Sequence, residues 1–287
     1  MPVQRTGVSR HFHVAALALA AIATVLAVQT GTHLELLSLD EYLGDAFPPR
    51  WAVITIVIFL AAVVSSTVGF AFSAISGAMI LHYVPNGVEA VQIMMIASIG
   101  VQAYSVAGLA GSIQWSRCAP FLLGGMATLP LGILLLVSLE PRTYVLAIGV
   151  ALAAYGMYML VSRTTVVRAG SRPAADAVAG ALGGITGPLA AFPGAFVTIW
   201  CGMRGWDKTV QRSVYQPYIL VMQLIGFGAL CLLQRQSVPD PALLAYALPG
   251  FAGATIGLRV FRGLTDPQFQ RMINLALIAS GVALVLK

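Results

Sequence analysis

Five glutamines, Gln92, Gln102, Gln211, Gln216 and Gln223, stand in or beside runs of residues that carry no charge. An amide taken out of water without a hydrogen-bond partner costs roughly 2–7 kcal/mol. Such groups must therefore bond to one another, to backbone or to a polar solute. Gln216 and Gln223 are seven residues apart, two helical turns, and share a face; Gln211 leads into the same helix. Interhelical hydrogen bonding explains any single one of them as well as ligand contact does. As a set they point to a polar cavity.

Cationic chemistry gathers close by. Arg204, Lys208 and Arg212 lie within nine residues of one another, and Arg212 opens a helix with Tyr215, Gln216 and Pro217. An inward-pointing Arg212 would attract an anion, whereas topology accounts for Lys208 and snorkelling serves equally for Arg259. Two further segments carry small and hydroxyl residues at places where a helix breaks. One holds Thr67, Gly69, Ser73 and Ser76; the other holds Thr186, Gly187 and Gly194 with Pro188 and Pro193. A break at membrane depth frees backbone N–H groups, and helix N-termini concentrate partial positive charge, so both segments suit an anion. Close helix packing is the competing use of glycine, as in Gly180-xxx-Gly184 and Gly253-xxx-Gly257.

Other chemistries find no residues. There is no HExxH, GxSxG or Walker loop and no metal-ligand cluster, so neither an enzyme nor a cofactor is expected. No Asp or Glu falls inside a span: Glu89, Asp176 and Asp207 stand at boundaries, which argues against a buried carboxylate proton relay. His82 is the one titratable alternative and reads first as a structural residue. Cys118, Cys201 and Cys231 lack CxxC spacing and read as packing residues. The net charge of +6 suggests no nucleic-acid partner, because the arginines sit in short loops and form no stripe with aromatics.

The elements that must position these residues are membrane spans. Of 287 residues 59% are hydrophobic and only 9% charged, where a soluble domain carries about a quarter charged. Charge-free stretches cover 51–88, 90–116, 118–139, 143–162, 177–203 and 213–234, and about 20 apolar residues make one crossing. A first segment over 14–28 follows Arg5, Arg10 and His11; it reads as a retained anchor helix, with a cleaved signal peptide as the alternative.

Two stretches are awkward. The stretch 51–88 is too long for one crossing, and 177–203 is interrupted by Gly183, Gly184, Gly187, Pro188, Pro193 and Gly194. If each crosses once, the 16 Lys and Arg divide almost evenly, nine inside and seven outside. If each is a re-entrant hairpin, twelve lie inside, leaving only Arg50, Arg142, Arg235 and Lys287 outside. The positive-inside rule favours hairpins, with arms of about 11 to 14 residues reaching roughly 16 to 21 Å, just past the middle of the core.

The fold expected is an all-α integral membrane bundle with two inverted-topology repeats. Each repeat is a re-entrant or broken helical hairpin plus three transmembrane helices, and one extra N-terminal helix precedes them. Residues 1–50 form the anchor helix and an acidic outside loop, 51–162 the first repeat, 163–175 an Arg-containing cytoplasmic linker, and 176–287 the second repeat. Internal echoes support the doubling: Thr67-Val-Gly69 with Gly77 against Thr186-Gly187 with Gly194, and Gly125 and Gly132 against Gly250 and Gly257 at an offset of 125.

Gly69-Phe-Ala-Phe-Ser-Ala-Ile-Ser-Gly77, Ala90-Val-Gln-Ile-Met-Met95, Pro120-Phe-Leu-Leu-Gly-Gly125, Thr198-Ile-Trp-Cys-Gly-Met-Arg-Gly-Trp206 and Gln211-Arg-Ser-Val-Tyr-Gln-Pro217 together resemble the sulfite exporter TauE/SafE family over about 51–287. The first of these departs from the family's usual signature, with small and hydroxyl residues in place of glycines. The resemblance implies a multi-pass permease of the bacterial inner membrane for sulfite, an organosulfonate or a related sulfur anion, with lipid and the small anion as its partners; the oligomeric state is left open. Substrate-binding candidates are Thr67, Gly69, Ser73, Ser76, Gln92, Gln102, Thr186, Gly187, Gly194, Arg204, Gln211, Arg212, Gln216 and Gln223. Export by alternating access, inward cation-coupled permeation of an organic anion, and a non-transporting assembly role are the readings to separate.

Overall fold

The structure, a computed structural model, describes residues 50–84, 87–138, 141–161, 172–190, 193–233 and 241–285. The expected anchor helix over 14–28 and its acidic loop lie outside these residues, as does most of the linker. Among the described residues every regular element is helical, as an apolar solvent requires of a spanning chain that does not close into a barrel. The first half holds α1 (Arg50–Val68), α2 (Phe72–Tyr83), α3 (Gly87–Ala107), α4 (Trp115–Ser138) and α5 (Pro141–Val161). The second holds α6 (Pro173–Ala190), α7 (Ala195–Met203), α8 (Lys208–Leu233), α9 (Ala247–Gly263) and α10 (Asp266–Val285). A short 3₁₀ turn precedes the fourth helix in each half, Ala110–Ser112 and Pro241–Tyr246.

Among the described residues five stretches are long and apolar enough to cross a bilayer. Leu123, Leu131 and Leu134 on α4 and Val150, Met157 and Leu160 on α5 lie exposed, the surface that lipid rather than water would cover. The protein is a multi-pass helical membrane protein.

Packing is exchanged between the halves. The first helix of each lies along the fourth of the other (α1 on α9, α6 on α4), third meets third (α3 on α8), and fifth meets fifth (α5 on α10). Contacting residues give the directions. Gly253 faces Phe59 and Gly257 faces Val63, while Gly124 faces Ala177 and Gly132 faces Ile185, so these two pairs run parallel. Gly149 faces Gly281 while Gly156 faces Asn274, and Ser98 bonds Gln223 while Gln102 bonds Gln216, so α5/α10 and α3/α8 run antiparallel.

Glycine makes the parallel pairs possible. A Cβ on Gly132 would sit 2.7 Å from the Ile185 carbonyl oxygen, and one on Gly257 would sit 2.7 Å from the Ser66 Cβ. Backbones approach to a distance that no larger residue permits, which suits association in lipid, where helices gain no hydrophobic driving force from one another. The echo at offset 125 has a structural counterpart: Gly132 and Gly257 each face the first helix of the opposite half, and Gly125 and Gly250 each meet its third.

Both awkward stretches break where a tip was expected, after Val68 and after Ala190, but their arms are unequal. They measure 19 and 12 residues in the first and 18 and 9 in the second, which corrects the 11 to 14 expected for each. No breaker lies between Arg50 and Gly69, so α1 runs on. Gly183, Gly184, Gly187 and Pro188 remain helical; Gly184 packs backbone to backbone on Gly125 of α4, and that packing keeps the helix intact.

The chain turns back at each tip. Pro193 folds against Gly183 and Gly187, and at the far end the Trp200 indole donates to Asp176 Oδ1 at 2.6 Å while Arg204 pairs with the same carboxylate at 3.4 Å. The end of α7 therefore returns to the start of α6. In the first half Arg50, opening α1, pairs with Glu89, opening α3, at 3.3 Å.

Candidate functional site

The α8 helix begins at a side-chain cap: Asp207 Oδ1 accepts the backbone N–H groups of Thr209 and Val210, each at 2.9 Å. From that fixed start Arg212, Gln216, Ile219 and Gln223 follow at steps of four, three and four and share one face. The face looks at α3 and at the first tip. Arg212 Nε donates to Gln216 Oε1 at 2.7 Å, Gln216 Nε2 to Gln102 Oε1 at 2.6 Å, and Gln102 Nε2 to the Gly69 carbonyl at 3.5 Å. Two turns beyond Gln216, Gln223 Nε2 donates to Ser98 Oγ at 2.8 Å. An unbroken row of polar contacts thus joins a guanidinium to the break between α1 and α2.

That break is held open by α8. The Tyr215 hydroxyl donates to the Val68 carbonyl at 2.7 Å, capping the end of α1. Its ring fills the place where a side chain at residue 69 would go, and Gly69 has φ +93°. Glycine alone meets both demands. Ala71, at φ 75°, lies in the left-handed region, which costs an L-residue roughly 1–2 kcal/mol, strain of the kind that gathers at functional sites.

Both tips converge on one cavity, lined by Phe70, Ala71, Phe72, Ser73, Ser98, Gln102, Pro193, Gly194, Ile219 and Gln223. They touch across it, since a Cβ on Gly194 would lie 3.6 Å from that of Phe70. The free volume is about 10 Å³, room for about one water. At that volume a multi-atom anion needs the tips to part.

Arg212 carries the electrostatics. It is 0% exposed, and its Cζ lies 4.2 Å from the centre of the Phe261 ring. Its Nη1 and Nη2 have no hydrogen-bond partner among the described residues, and the ion pairs found there, Arg50–Glu89 and Arg204–Asp176, do not include it. A buried cation without a counter-charge is costly; an anion would satisfy it.

The neighbouring cations are engaged. Arg204 pairs with Asp176 and stacks 4.9 Å over Trp206, and Arg117 approaches the same ring at 5.3 Å. Lys208 Nζ donates to the Phe261, Arg262 and Leu264 carbonyls, at the negative end of α9.

Of the sequence candidates, the structure places Gly69, Ser73, Gln102, Gly194, Arg212, Gln216 and Gln223 in or directly joined to this site. The hydroxyls of Thr67, Ser76 and Thr186 bond back to carbonyls of their own helices. Gln211 Nε2 donates to the Trp206 carbonyl at 2.7 Å while its Oε1 has no partner among the described residues, Gly187 packs on Pro193, and Gln92 is half-buried away from the cavity lining. Sequence reasoning passed over Ser98, Tyr215 and Asp176. Ser98 stands one turn before Gln102, the spacing that would have found it, whereas nothing local tells that Tyr215 reaches Val68. Among the described residues no group of three or more His, Cys, Asp or Glu is placed to hold a metal ion.

The family model described as sulfite exporter TauE/SafE matches residues 54–284, nearly all of both halves. The chain belongs to that family. Neither the curated proteins nor the solved structures give a significant match.

Proposed function

We propose that this TauE/SafE family member is a permease that carries a small sulfur anion, sulfite or an organosulfonate, outward across a bacterial inner membrane. It does so by exposing one site alternately to either side. The observation that carries the proposal is the fully buried Arg212, unpaired at Nη1 and Nη2 and wired through Gln216 and Gln102 to the meeting point of two helix breaks. Neutral amides and a single guanidinium fit an anion and offer little to a cation.

The exchanged packing, with equivalent helices antiparallel, supports two repeats of inverted topology entering from opposite faces. In this reading Arg50 and Glu89 tie the mouth of one re-entrant hairpin, and Asp176, Trp200 and Arg204 tie the other. Rocking one half against the other widens the narrow cavity to one side at a time. Gly194, Ser73 and the Gln102–Gln216 pair then pass the anion between the tips and Arg212.

Export needs no coupled ion: an anion leaving a cell that is negative inside gains about 2.3 kcal/mol per charge per 100 mV. Proteoliposomes loaded with labelled sulfite test this. Protein-dependent efflux should accelerate when the imposed potential is negative inside. No protein-dependent flux of sulfite, thiosulfate or a sulfonate would overturn the proposal, and a strict sodium or proton requirement for uptake would replace export with coupled import.

A further inference from the structure

The geometry points to a charge class for the transported anion, a deduction that rests on the transport reading above: we propose that Arg212 binds singly charged oxyanions, sulfite in its hydrogensulfite form among them, through Nη1 and Nη2 and discriminates against doubly charged ones. The guanidinium has one edge committed, since Nε is held by Gln216 Oε1 at 2.7 Å. Its two terminal nitrogens are buried and have no hydrogen-bond partner among the described residues. They form a fork matched to two oxygens of one planar or pyramidal oxyanion.

Charge balance sets the valence. Asp176 and Arg204 cancel within their own pair, with side chains 8% and 6% exposed. Lys208, which shares the Phe261 ring with Arg212, sets its ammonium against the carbonyl end of α9, while Asp266 Oδ1 accepts its backbone N–H at 3.2 Å. The polar groups joined to Arg212, namely Gln216 and Gln102, are neutral, as is the Tyr215 hydroxyl one turn along. The buried site therefore holds one uncompensated positive charge. A monoanion neutralises it; a dianion exchanges a buried cation for a buried net negative charge and is also dearer to strip of water.

The test titrates the purified wild-type protein in detergent with methanesulfonate, which stays singly charged, and with sulfate, which stays doubly charged, at matched ionic strength. Thermal stability and tryptophan fluorescence are followed. Methanesulfonate should stabilise the protein with an apparent affinity about tenfold or more above that of sulfate, and Arg212→Gln should remove the effect while Arg212→Lys keeps part of it. The valence comparison is made on the wild-type chain, so it does not depend on either variant folding. Equal or tighter sulfate binding would overturn the charge class and leave anion transport standing. Binding of neither anion alongside sulfite flux in proteoliposomes would likewise remove this inference alone. Loss of both binding and flux would remove the transport reading with it.

Discussion

Arg212 is a stability liability kept in a fully buried place. A lone guanidinium out of water, short of two hydrogen-bond partners, weighs against the folded state. Arg212→Met should therefore stabilise the fold in anion-free detergent by an amount on the order of 1–3 kcal/mol, read as a rise in melting temperature, while abolishing anion-dependent stabilisation; a drop in melting temperature would show that the guanidinium is structural glue. Gln216 works differently, since it both accepts from Arg212 and donates to Gln102. Gln216→Leu strands both partners, so it should cost about 1–3 kcal/mol and lower sulfite flux at least as strongly as it lowers stability, measured by thermal shift and efflux on one preparation. Much at this scale was legible in the sequence. A row of amides in charge-free surroundings has few uses, and the seven-residue step from Gln216 to Gln223 gave the shared face. That Arg204 and Lys208 would be spent on Asp176 and on the end of α9 was not legible, because both partners come from other helices.

Helix contacts show where glycine is obligatory and where it is incidental. Gly257 presses on the Val63 carbonyl and on Ser66, whereas a Cβ at Gly226 would meet nothing within 4 Å. Gly257→Val should lower stability by about 1–3 kcal/mol or prevent folding outright, and Gly226→Val should leave stability within about half a kcal/mol, both followed by thermal melting; equal effects would contradict the close packing of α1 on α9. The break positions were readable from Gly69 and from Pro193-Gly194, but arm lengths were not. Interior Gly and Pro do not end a helix when a neighbour packs against the exposed backbone, as α4 does along α6. The positive-inside count favours a reversal of the second stretch without deciding it, and the Trp200–Asp176 bond brings the end of α7 back to the start of α6.

At the scale of the molecule, two halves pack by exchange, and an inverted arrangement requires the two hairpin mouths to face opposite sides of the bilayer. Cysteine labelling checks this directly. In a background lacking Cys118, Cys201 and Cys231, single cysteines at Trp51, which is 64% exposed, and at the exposed Asp207 should react with an impermeant reagent from opposite sides, Trp51→Cys from outside and Asp207→Cys from inside. Labelling of both from one side would contradict the inverted arrangement. The doubling was only faintly visible in the chain because the halves share packing geometry rather than residues: what they have in common is glycine at the contact with the opposite half. The central claim, that a buried guanidinium joined through Gln216 and Gln102 to the convergence of two broken helices receives the anion, is tested most directly by calorimetric titration of sulfite into the wild-type protein and into Arg212→Gln at the same pH and salt. Saturable binding by the wild type that Arg212→Gln loses by about a hundredfold or more is the result expected; equal affinity in the two, with the variant folded, would contradict the account.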